Sequence, residues 1–420
     1  MTMRTIREDA GIIMEECIRA VLPDKAVLKA LRGKEFKSGV IVVAIGKAAW
    51  NMAKAAKEIL GSKVRKGIIL TKYGHSKGLV EGFEIIEAGH PIPDENSVFG
   101  ASRVLDMVSE LTTEDQVLFL VSGGGSALFE KPLEGVTLED IISITNQLLS
   151  SGAAIAEINT VRKHLSAVKG GRFACQCGGS AIYAVVLSDV LGDQLDVIAS
   201  GPAYPDSSTS GEARDIVVKY NIELNRSGME ALEQETPKIV DNCETVIIGS
   251  VTALCEAAAR SAQKLGYKPF VLSTSIDGEA KEVGRFFASV AREIKKGKKS
   301  EFAPNPPCAI VAGGETIVRL TGSGKGGRNQ EVALSAALGI EGLDDVVLFS
   351  LGSDGTDGPT EAAGGIEDGQ TAKRIRFQSI QPEAYLNGNN SYYALKASGD
   401  LIFTGATGTN VNDVMVLLCR

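Results

Sequence analysis

Short runs of aliphatic and β-branched residues recur along the chain, separated by longer segments in which apolar residues follow a helical period. Several of the short runs have no polar face, which is typical of strands that are buried on both faces of a parallel sheet. The predicted strands cover residues 40–45, 67–71, 84–87, 116–121, 182–188, 244–249, 269–273, 308–312 and 346–351.

The longer segments predict helices. A first helix is expected in the N-terminal stretch, where acidic residues alternate with apolar residues at helical spacing and the pattern differs from that of a signal peptide. Further helices are expected over residues 47–60, 94–111, 138–149, 153–168, 251–265 and 279–296. Alternation of strands and helices predicts α/β layers with mostly parallel sheets and right-handed crossovers.

The polar segment over residues 225–242 contains Gly and Pro and precedes a new strand, so it is the preferred domain boundary. We therefore predict an N-terminal domain over residues 1–235 and a C-terminal domain over residues 236–420. A second polar stretch, KKGKKSEFAPNPPC, is the alternative boundary, although it is equally compatible with a surface loop.

Composition excludes several classes of protein. The 420 residues carry a net charge of −8, which argues against nucleic acid as a partner. Glycine is in excess, at 47 residues, but glycine and proline together remain below the level of disordered chains. No apolar run approaches a membrane span of about 20 residues. Seven scattered cysteines make a zinc site improbable and indicate small buried side chains in a reducing cytosol, so a cytoplasmic protein is expected.

Ligands bind at the carboxyl ends of parallel strands, so the residues after each predicted strand carry the candidate chemistry. Lys47 follows the first strand and precedes a helix, where an anion would be stabilised by both the lysine and the helix N-terminus. A solvated surface lysine is the alternative. After the fourth strand, the amides and hydroxyls of one loop can converge on an anion. That loop is formed by Ser122, Gly123, Gly124, Gly125 and Ser126.

The same loop leaves a serine hydrolase open, although the nucleophile-elbow pattern is absent. His90 precedes a proline-rich turn, and for this residue a structural role is as compatible with the sequence as a catalytic one. Lys163 and Lys169 lie in a basic segment that fits either an anion site or the favourable end of a helix. Asp189 and Asp193 follow the fifth strand and suit hydroxyl or Mg²⁺ binding, with loop capping as the alternative.

The second half repeats this arrangement. Glu315 follows a strand, and a glycine-rich loop then leads to Arg328 and Asn329 at the start of a helix. The loop fits neither a P-loop nor, securely, a dinucleotide-binding fingerprint, so we interpret it as a mobile loop that delivers Arg328 to a phosphate or carboxylate. Asp354 and Asn412 lie in two further loops rich in glycine and hydroxyls, and they complete the candidate substrate- or nucleotide-binding set. These residues together indicate an enzyme that handles ATP or a phosphate ester.

Seven ordered motifs, GHPIPDENS, SGGGSAL, VRKHLSAVKGGRFA, VVLSDVLGDQLDVIASGP, GGETIVRLTGSGKGGRNQE, SDGTDGPTEAAGG and GTNVND, strongly resemble the glycerate kinase type-2 family, which carries a C-terminal MOFRL module. The resemblance covers nearly the whole chain. It implies two Rossmann-like, three-layer α/β/α domains with mostly parallel sheets and an active site in the cleft between them.

The resemblance further implies ATP- and Mg²⁺-dependent phosphorylation of D-glycerate to 2-phosphoglycerate. The family's catalytic lysine and arginine match Lys47 and Arg328, which would neutralise the transferring phosphoryl group. Asp189 is the candidate for the substrate hydroxyl, or for the metal together with Asp193. Phosphorylation at the 3-hydroxyl, an NAD(P)-dependent hydroxypyruvate reductase and a non-catalytic metabolite sensor stay open as alternatives. The oligomeric state also stays open, with a homodimer as one candidate.

Overall fold

The computed structural model describes residues 4–36, 39–190, 192–296 and 304–420, which form two compact units. The first unit runs from Pro23 to Ile248, and the second combines the residues up to Leu22 with Gly249–Arg420. The helices are α1 Ile6–Ala20, α2 Pro23–Leu31, α3 Ala49–Leu60, α4 Glu95–Val108, α5 Gly125–Leu128, α6 Leu138–Ser150, α7 Ile155–Leu165, α8 Arg172–Gln176, α9 Ser210–Lys219, α10 Arg226–Leu232, α11 Val251–Lys264, α12 Ala280–Lys295, α13 Arg328–Gly339, α14 Thr371–Phe377, α15 Pro382–Asn387 and α16 Ser391–Ser398.

The strands of the first sheet belong to the first unit. They are β1 Val40–Ile45, β2 Val64–Lys72, β3 Phe83–Ala88, β4 Gln116–Val121, β5 Ala181–Leu187 and β6 Cys243–Gly249. Their spatial order is β3-β2-β1-β4-β5-β6, and the pairings β2–β3, β1–β2, β1–β4 and β4–β5 are parallel. In this doubly wound order the direction of strand addition reverses between β1 and β4, and ligands bind outside the carboxyl ends of the strands at such a reversal.

The central strands of the first sheet are covered on both faces, which explains why β1 has no polar side. Val43 of β1 and Phe119 of β4 lie in one buried cluster with Val104 of α4 and Phe173 of α8. The rings of Phe119 and Phe173 are 4.7 Å apart. The helix α3 also packs against β1 and β2. The resulting rigid layer fixes the ends of β1 and β4, from which the loops with candidate chemistry extend.

The second sheet is formed by β7 Lys268–Ile276, β8 Cys308–Gly314, β9 Val346–Gly352, β10 Gly364–Asp368, β11 Leu401–Ile402 and β12 Asp413–Cys419. Its order is β11-β10-β9-β12-β8-β7. The pair β7–β8 is parallel, whereas β12 runs antiparallel to both β8 and β9, and β10 is antiparallel to β9 and β11. The first residues of β12 therefore lie beside the last residues of β8 and β9.

The predicted α/β class with two domains is confirmed, and a strand is found at each of the nine predicted positions. Sequence patterns did not predict the antiparallel strands β10, β11 and β12. The division of the chain also differs from the predicted domains 1–235 and 236–420, because β6 completes the first sheet and α1 packs against α11 of the second unit. Residues 297–303 of the alternative boundary lie outside the described residues.

The helix α1 is held in the second unit by a buried acid. Tyr267 Oη donates a 2.8 Å hydrogen bond to Asp9 Oδ2, and Arg420 forms an ion pair with the same carboxylate. A helical pattern cannot reveal such a partner more than 200 residues away, so the predicted boundary left α1 in the N-terminal domain. All seven cysteines are unpaired, and most of them are buried. Within the described residues, no helix is long and apolar enough to cross a bilayer.

Candidate functional site

Two loops of the first unit are joined by hydrogen bonds at the carboxyl ends of β1 and β4. Gly46 follows β1 with a φ of 108°, which glycine adopts without strain, and Lys47 and Ala48 lead into α3. The Lys47 amide donates to the Gly123 carbonyl at 2.9 Å, and the Ala48 amide donates to Ser122 Oγ at 3.0 Å. These bonds fix the predicted lysine directly against the predicted glycine-rich loop.

The glycines of this loop have no room for side chains, because other candidate residues occupy the space. A Cβ on Gly123 would lie 2.2 Å from Asp189 Oδ2. On Gly124, which has a φ of 84°, a Cβ would lie 2.9 Å from His90 Cδ2 and 3.3 Å from Lys47 Cγ. The loop backbone therefore brings Lys47, His90 and Asp189 around one short segment.

The far end of the loop is used for packing. Gly125 begins α5, and a Cβ there would lie 2.8 Å from the Cβ of Ala199. Ser126 Oγ shares a 3.0 Å hydrogen bond with Ser200 Oγ, and Arg162 Nη2 donates to the Ser126 carbonyl at 2.9 Å. These contacts give Ser126 a structural partner, whereas its predicted contact with a ligand stays a prediction.

The surroundings of the loop are cationic on one side. Burial, followed by the neighbouring Lys47, Lys72 and His75, lowers the pKa of the half-buried His90 to about 4. His75 Nδ1 is within 3.0 Å of the Lys47 carbonyl, which anchors the lysine backbone. Within the described part of the chain, no carboxylate forms an ion pair with Lys47 Nζ. An anion bound here would supply the missing negative charge.

The two predicted metal ligands of the first unit differ in their surroundings. Asp189 contacts the backbone of Gly123, as described above. Asp193 has a φ of 52°, and its Oδ1 is buried without a hydrogen bond from any described residue. The described residues contain no group of three His, Cys, Asp or Glu side chains able to hold a metal.

The predicted basic residues Lys163 and Lys169 are buried in ion pairs. Lys163 Nζ donates to Asp206 Oδ1 at 3.0 Å. Lys169 Nζ lies 2.8 Å from Glu130 Oε2 and donates to the Phe129 carbonyl at 3.0 Å. Burial lowers the pKa of Lys169 to about 8, although Glu130 opposes the change. The structure thus gives both lysines internal partners, and their assignment to ligand binding stays a prediction.

In the second unit, Arg328 begins α13 and is held by two acids. Its Nε and Nη2 donate to Asp413 at 2.6 Å and 3.1 Å, and its Nη1 donates to Glu315 Oε1 at 2.6 Å. Burial lowers the pKa of Arg328, but Asp413 and Glu315 outweigh this effect and hold it above the usual value. Burial raises the pKa of Asp413, and Arg328 opposes the rise. The guanidinium therefore stays charged, with its plane fixed by Asp413.

Asn329 follows Arg328 in α13 and is buried. Its side-chain oxygen accepts from Ser350 Oγ at 2.6 Å. The backbone amide of Asn329 donates to Asp357 Oδ1 at 3.1 Å, and the backbone amide of Gln330 donates to Asp357 Oδ2 at 2.8 Å. Burial raises the pKa of Asp357 to about 6, although these hydrogen bonds oppose the rise. Asp357 thus occupies the N-terminus of α13, where a negative charge is favourable.

The glycine-rich loop before Arg328 is anchored by the segment between α15 and α16. The amides of Thr321 and Gly322 both donate to Asn389 Oδ1, at 2.7 Å and 2.9 Å. The Lys325 amide donates to Asn390 Oδ1 at 3.0 Å. These three amides therefore have protein acceptors, and the delivery of Arg328 to an anion by this loop stays a prediction.

The remaining two predicted residues lie in local turns of the second unit. Asp354 Oδ1 accepts hydrogen bonds from the amide and hydroxyl of Thr356, at 2.9 Å and 3.2 Å. Asn412 is buried with a φ of 63°, and its carbonyl accepts from the Ser353 amide at 3.1 Å. Asn412 directly precedes Asp413, the partner of Arg328. Ligand binding by Asp354 and Asn412 stays a prediction.

Sequence reasoning missed the acids that position the cations. Asp413 lies at the start of the apolar run DVMVLLC, and an acid at the edge of such a run signals a buried partner. Asp357 lies far from α13 in sequence, and this separation hid its hydrogen bonds with the first amides of that helix. Glu130 lies in no motif that predicts its pairing with Lys169.

Comparisons with known proteins identify the family of this chain. The family described as a domain of unknown function, DUF4147, matches residues 9–233, and the MOFRL family matches residues 308–413. The D-glycerate 2-kinase of Thermotoga maritima is 55% identical over 407 residues, which cover 96% of each chain. The chain belongs to the glycerate kinase type-2 family.

One relative has a very similar structure, and another is named for a different reaction. A crystal structure of the glycerate kinase from Thermotoga maritima superposes with a TM-score of 0.95 at 53% identity and covers 99% of both chains. A protein of Agrobacterium vitis, named a putative hydroxypyruvate reductase, is 38% identical and covers 97% of this chain and 93% of its own. The family thus includes members named for two different reactions.

We predict that Gly124→Ala abolishes ligand binding while the protein stays folded. The new Cβ would collide with the His90 ring at 2.9 Å and crowd Lys47. Gly33→Ala is the matched control, because Gly33 has nearly the same φ, 82°, but no atom within 4 Å of the added Cβ. Calorimetry with ATP and with D-glycerate, together with circular dichroism, measures the effect. Normal binding by a folded Gly124→Ala variant would contradict the prediction.

Proposed function

We propose that this chain is an ATP- and Mg²⁺-dependent D-glycerate 2-kinase. The observation that carries the proposal is its 55% identity to a D-glycerate 2-kinase over 96% of both chains. The geometry supports it, since Lys47 lies on the glycine loop at the reversal point of the first sheet, where doubly wound proteins bind ligands. The proposed reaction joins the 2-hydroxyl oxygen of glycerate to the γ-phosphorus of ATP and releases ADP.

Charge neutralisation is the main demand of phosphoryl transfer, because the transition state spreads negative charge over several oxygens. Lys47 and Arg328 are the two cations proposed for this role. Lys47 is presented by the backbone of the glycine loop and has no competing carboxylate among the described residues. Arg328 is fixed by two hydrogen bonds that it donates to Asp413, and a fixed guanidinium suits bidentate contact with phosphate oxygens.

Asp189 is the proposed partner of the acceptor hydroxyl. As the hydroxyl oxygen bonds to the γ-phosphorus, the bond to the bridging oxygen of ADP breaks and the hydroxyl proton passes to the Asp189 carboxylate. In the alternative assignment, Asp189 and Asp193 would hold Mg²⁺ together with nucleotide phosphates, and the ion would neutralise charge on those phosphates. The buried and unpartnered Asp193 Oδ1 fits that ligand type.

A reductase is the second candidate, because relatives at 38% identity are named putative hydroxypyruvate reductases. We expect the purified protein to form ADP only when D-glycerate, ATP and Mg²⁺ are all present. Phosphorus NMR of the product should show the phosphate on carbon 2. NADH oxidation that depends on hydroxypyruvate, without formation of ADP, would support the reductase, and a 3-phosphate product would correct the position.

We predict that Lys47→Ala and Arg328→Ala each lower kcat by about 10²-fold or more, because each removes one charge from the transition state. Two exposed residues supply matched controls. Lys54 lies on α3 close to Lys47 in sequence, and Arg285 is exposed on α12. Lys54→Ala and Arg285→Ala should keep near-normal kcat. Circular dichroism verifies folding, and near-normal turnover in a folded Lys47 or Arg328 variant would contradict the assignment.

We predict that Glu315→Gln lowers the KM for ATP several-fold. Glu315 is exposed and occupies Nη1 of Arg328, so a phosphate oxygen has to compete with its carboxylate for that donor. The exposed pair of Glu341 and Arg376 supplies the control, and Glu341→Gln should leave the KM unchanged. Steady-state kinetics measure both. A higher KM in Glu315→Gln would contradict competition and support Glu315 as a direct substrate ligand.

A further inference from the structure

The motif GHPIPDENS has no role in the proposed chemistry, yet it places a histidine at the glycine loop. His90 begins the proline-rich turn that leads from β3 into α4. Asp94 holds the end of this turn, since its carboxylate accepts hydrogen bonds from the Ser97 amide at 3.0 Å and from Tyr73 Oη at 2.7 Å. The histidine is therefore presented by an anchored segment and not by a free loop.

The His90 ring faces the same backbone as Lys47. A Cβ on Gly124 would lie 2.9 Å from His90 Cδ2, 3.1 Å from His90 Nε2 and 3.3 Å from Lys47 Cγ. The imidazole edge with Nε2 and the lysine side chain thus approach one glycine together. Neither ring nitrogen of His90 forms a hydrogen bond with a residue in the described ranges.

The charges around the ring favour an anion as its missing partner. Lys47, Lys72 and His75 are the titratable groups that act on His90, and none of them can accept a hydrogen bond while protonated. Burial and these neighbours keep the ring neutral near pH 7. A neutral imidazole has one N–H donor, and an anionic oxygen bound beside the ring could accept a hydrogen bond from it.

We propose that His90 is a substrate-binding residue, which donates a hydrogen bond from its ring to an anionic oxygen of a substrate. The oxygen belongs either to the carboxylate of glycerate or to a phosphate of ATP, and the two share the chemistry that the site offers. The inference rests on the proposed kinase activity and adds a contact that neither Lys47 nor Arg328 supplies. His90 serves binding, so its loss should change KM more than kcat.

Three variants test this assignment. His90→Phe keeps a ring but removes both nitrogens, whereas His90→Gln retains an N–H donor near the position of Nε2. Ile92→Ala changes an exposed side chain in the same turn and controls for disturbance of the backbone. We expect His90→Phe to raise one KM by roughly 10- to 100-fold, the size of a hydrogen bond to a charged group, with a smaller change in kcat. His90→Gln should recover most of the loss, and Ile92→Ala should be normal.

The two substrates are varied separately in these assays, and thermal unfolding checks the fold of each variant. A higher KM for glycerate alone assigns the contact to its carboxylate, and a higher KM for ATP alone assigns it to a phosphate. Unchanged KM values for both substrates in folded His90→Phe overturn the proposal, as does a His90→Gln variant as weak as His90→Phe. If the wild-type protein forms no ADP, the proposed function fails, and calorimetric binding of glycerate and of ATP to the same variants still tests His90.

Discussion

The adjacency of β1 and β4 is the constraint on which the first unit depends. The order of strands reverses at this pair. The loops that follow β1 and β4 therefore start at the same edge of the sheet and diverge from each other. The bonds from Lys47 and Ala48 to the loop after β4 then fix the two loops to each other. The close approach of Lys47, His90 and Asp189 is possible only because that loop has no side chains at Gly123 and Gly124.

The two units hold their candidate cations in opposite ways. Lys47 is positioned through its backbone, and its ammonium group lacks a carboxylate partner among the described residues. Arg328 is positioned through its side chain, by the buried Asp413. A lysine has a compact charge that can follow a ligand, whereas a planar guanidinium loses its advantage unless its orientation is fixed. The difference in residue type thus agrees with the difference in support.

The sequence predicted what depends on local pattern. Buried parallel strands such as β1 and β4 have distinctive apolar runs, and glycine after a strand marks a turn, so the loop with Gly124 could be found without coordinates. The strand β12 was not predicted, and its antiparallel pairing with β8 and β9 joins segments far apart in the chain. The same limit hid the partners of Lys163 and Lys169, since a basic segment looks alike whether it faces a ligand or a buried acid.

The glycine excess has two physical explanations, and only one of them concerns a ligand. In the first unit, Gly123 and Gly124 leave space that Asp189 and His90 occupy, so glycine lets candidate site residues converge. In the second unit, a Cβ on Gly324 would lie 2.6 Å from the Gly388 carbonyl oxygen, so glycine there lets backbone pack against backbone. A glycine-rich loop after a strand therefore indicates close approach in general. Whether the approaching group is a ligand or the protein itself depends on which acceptors already satisfy the loop amides.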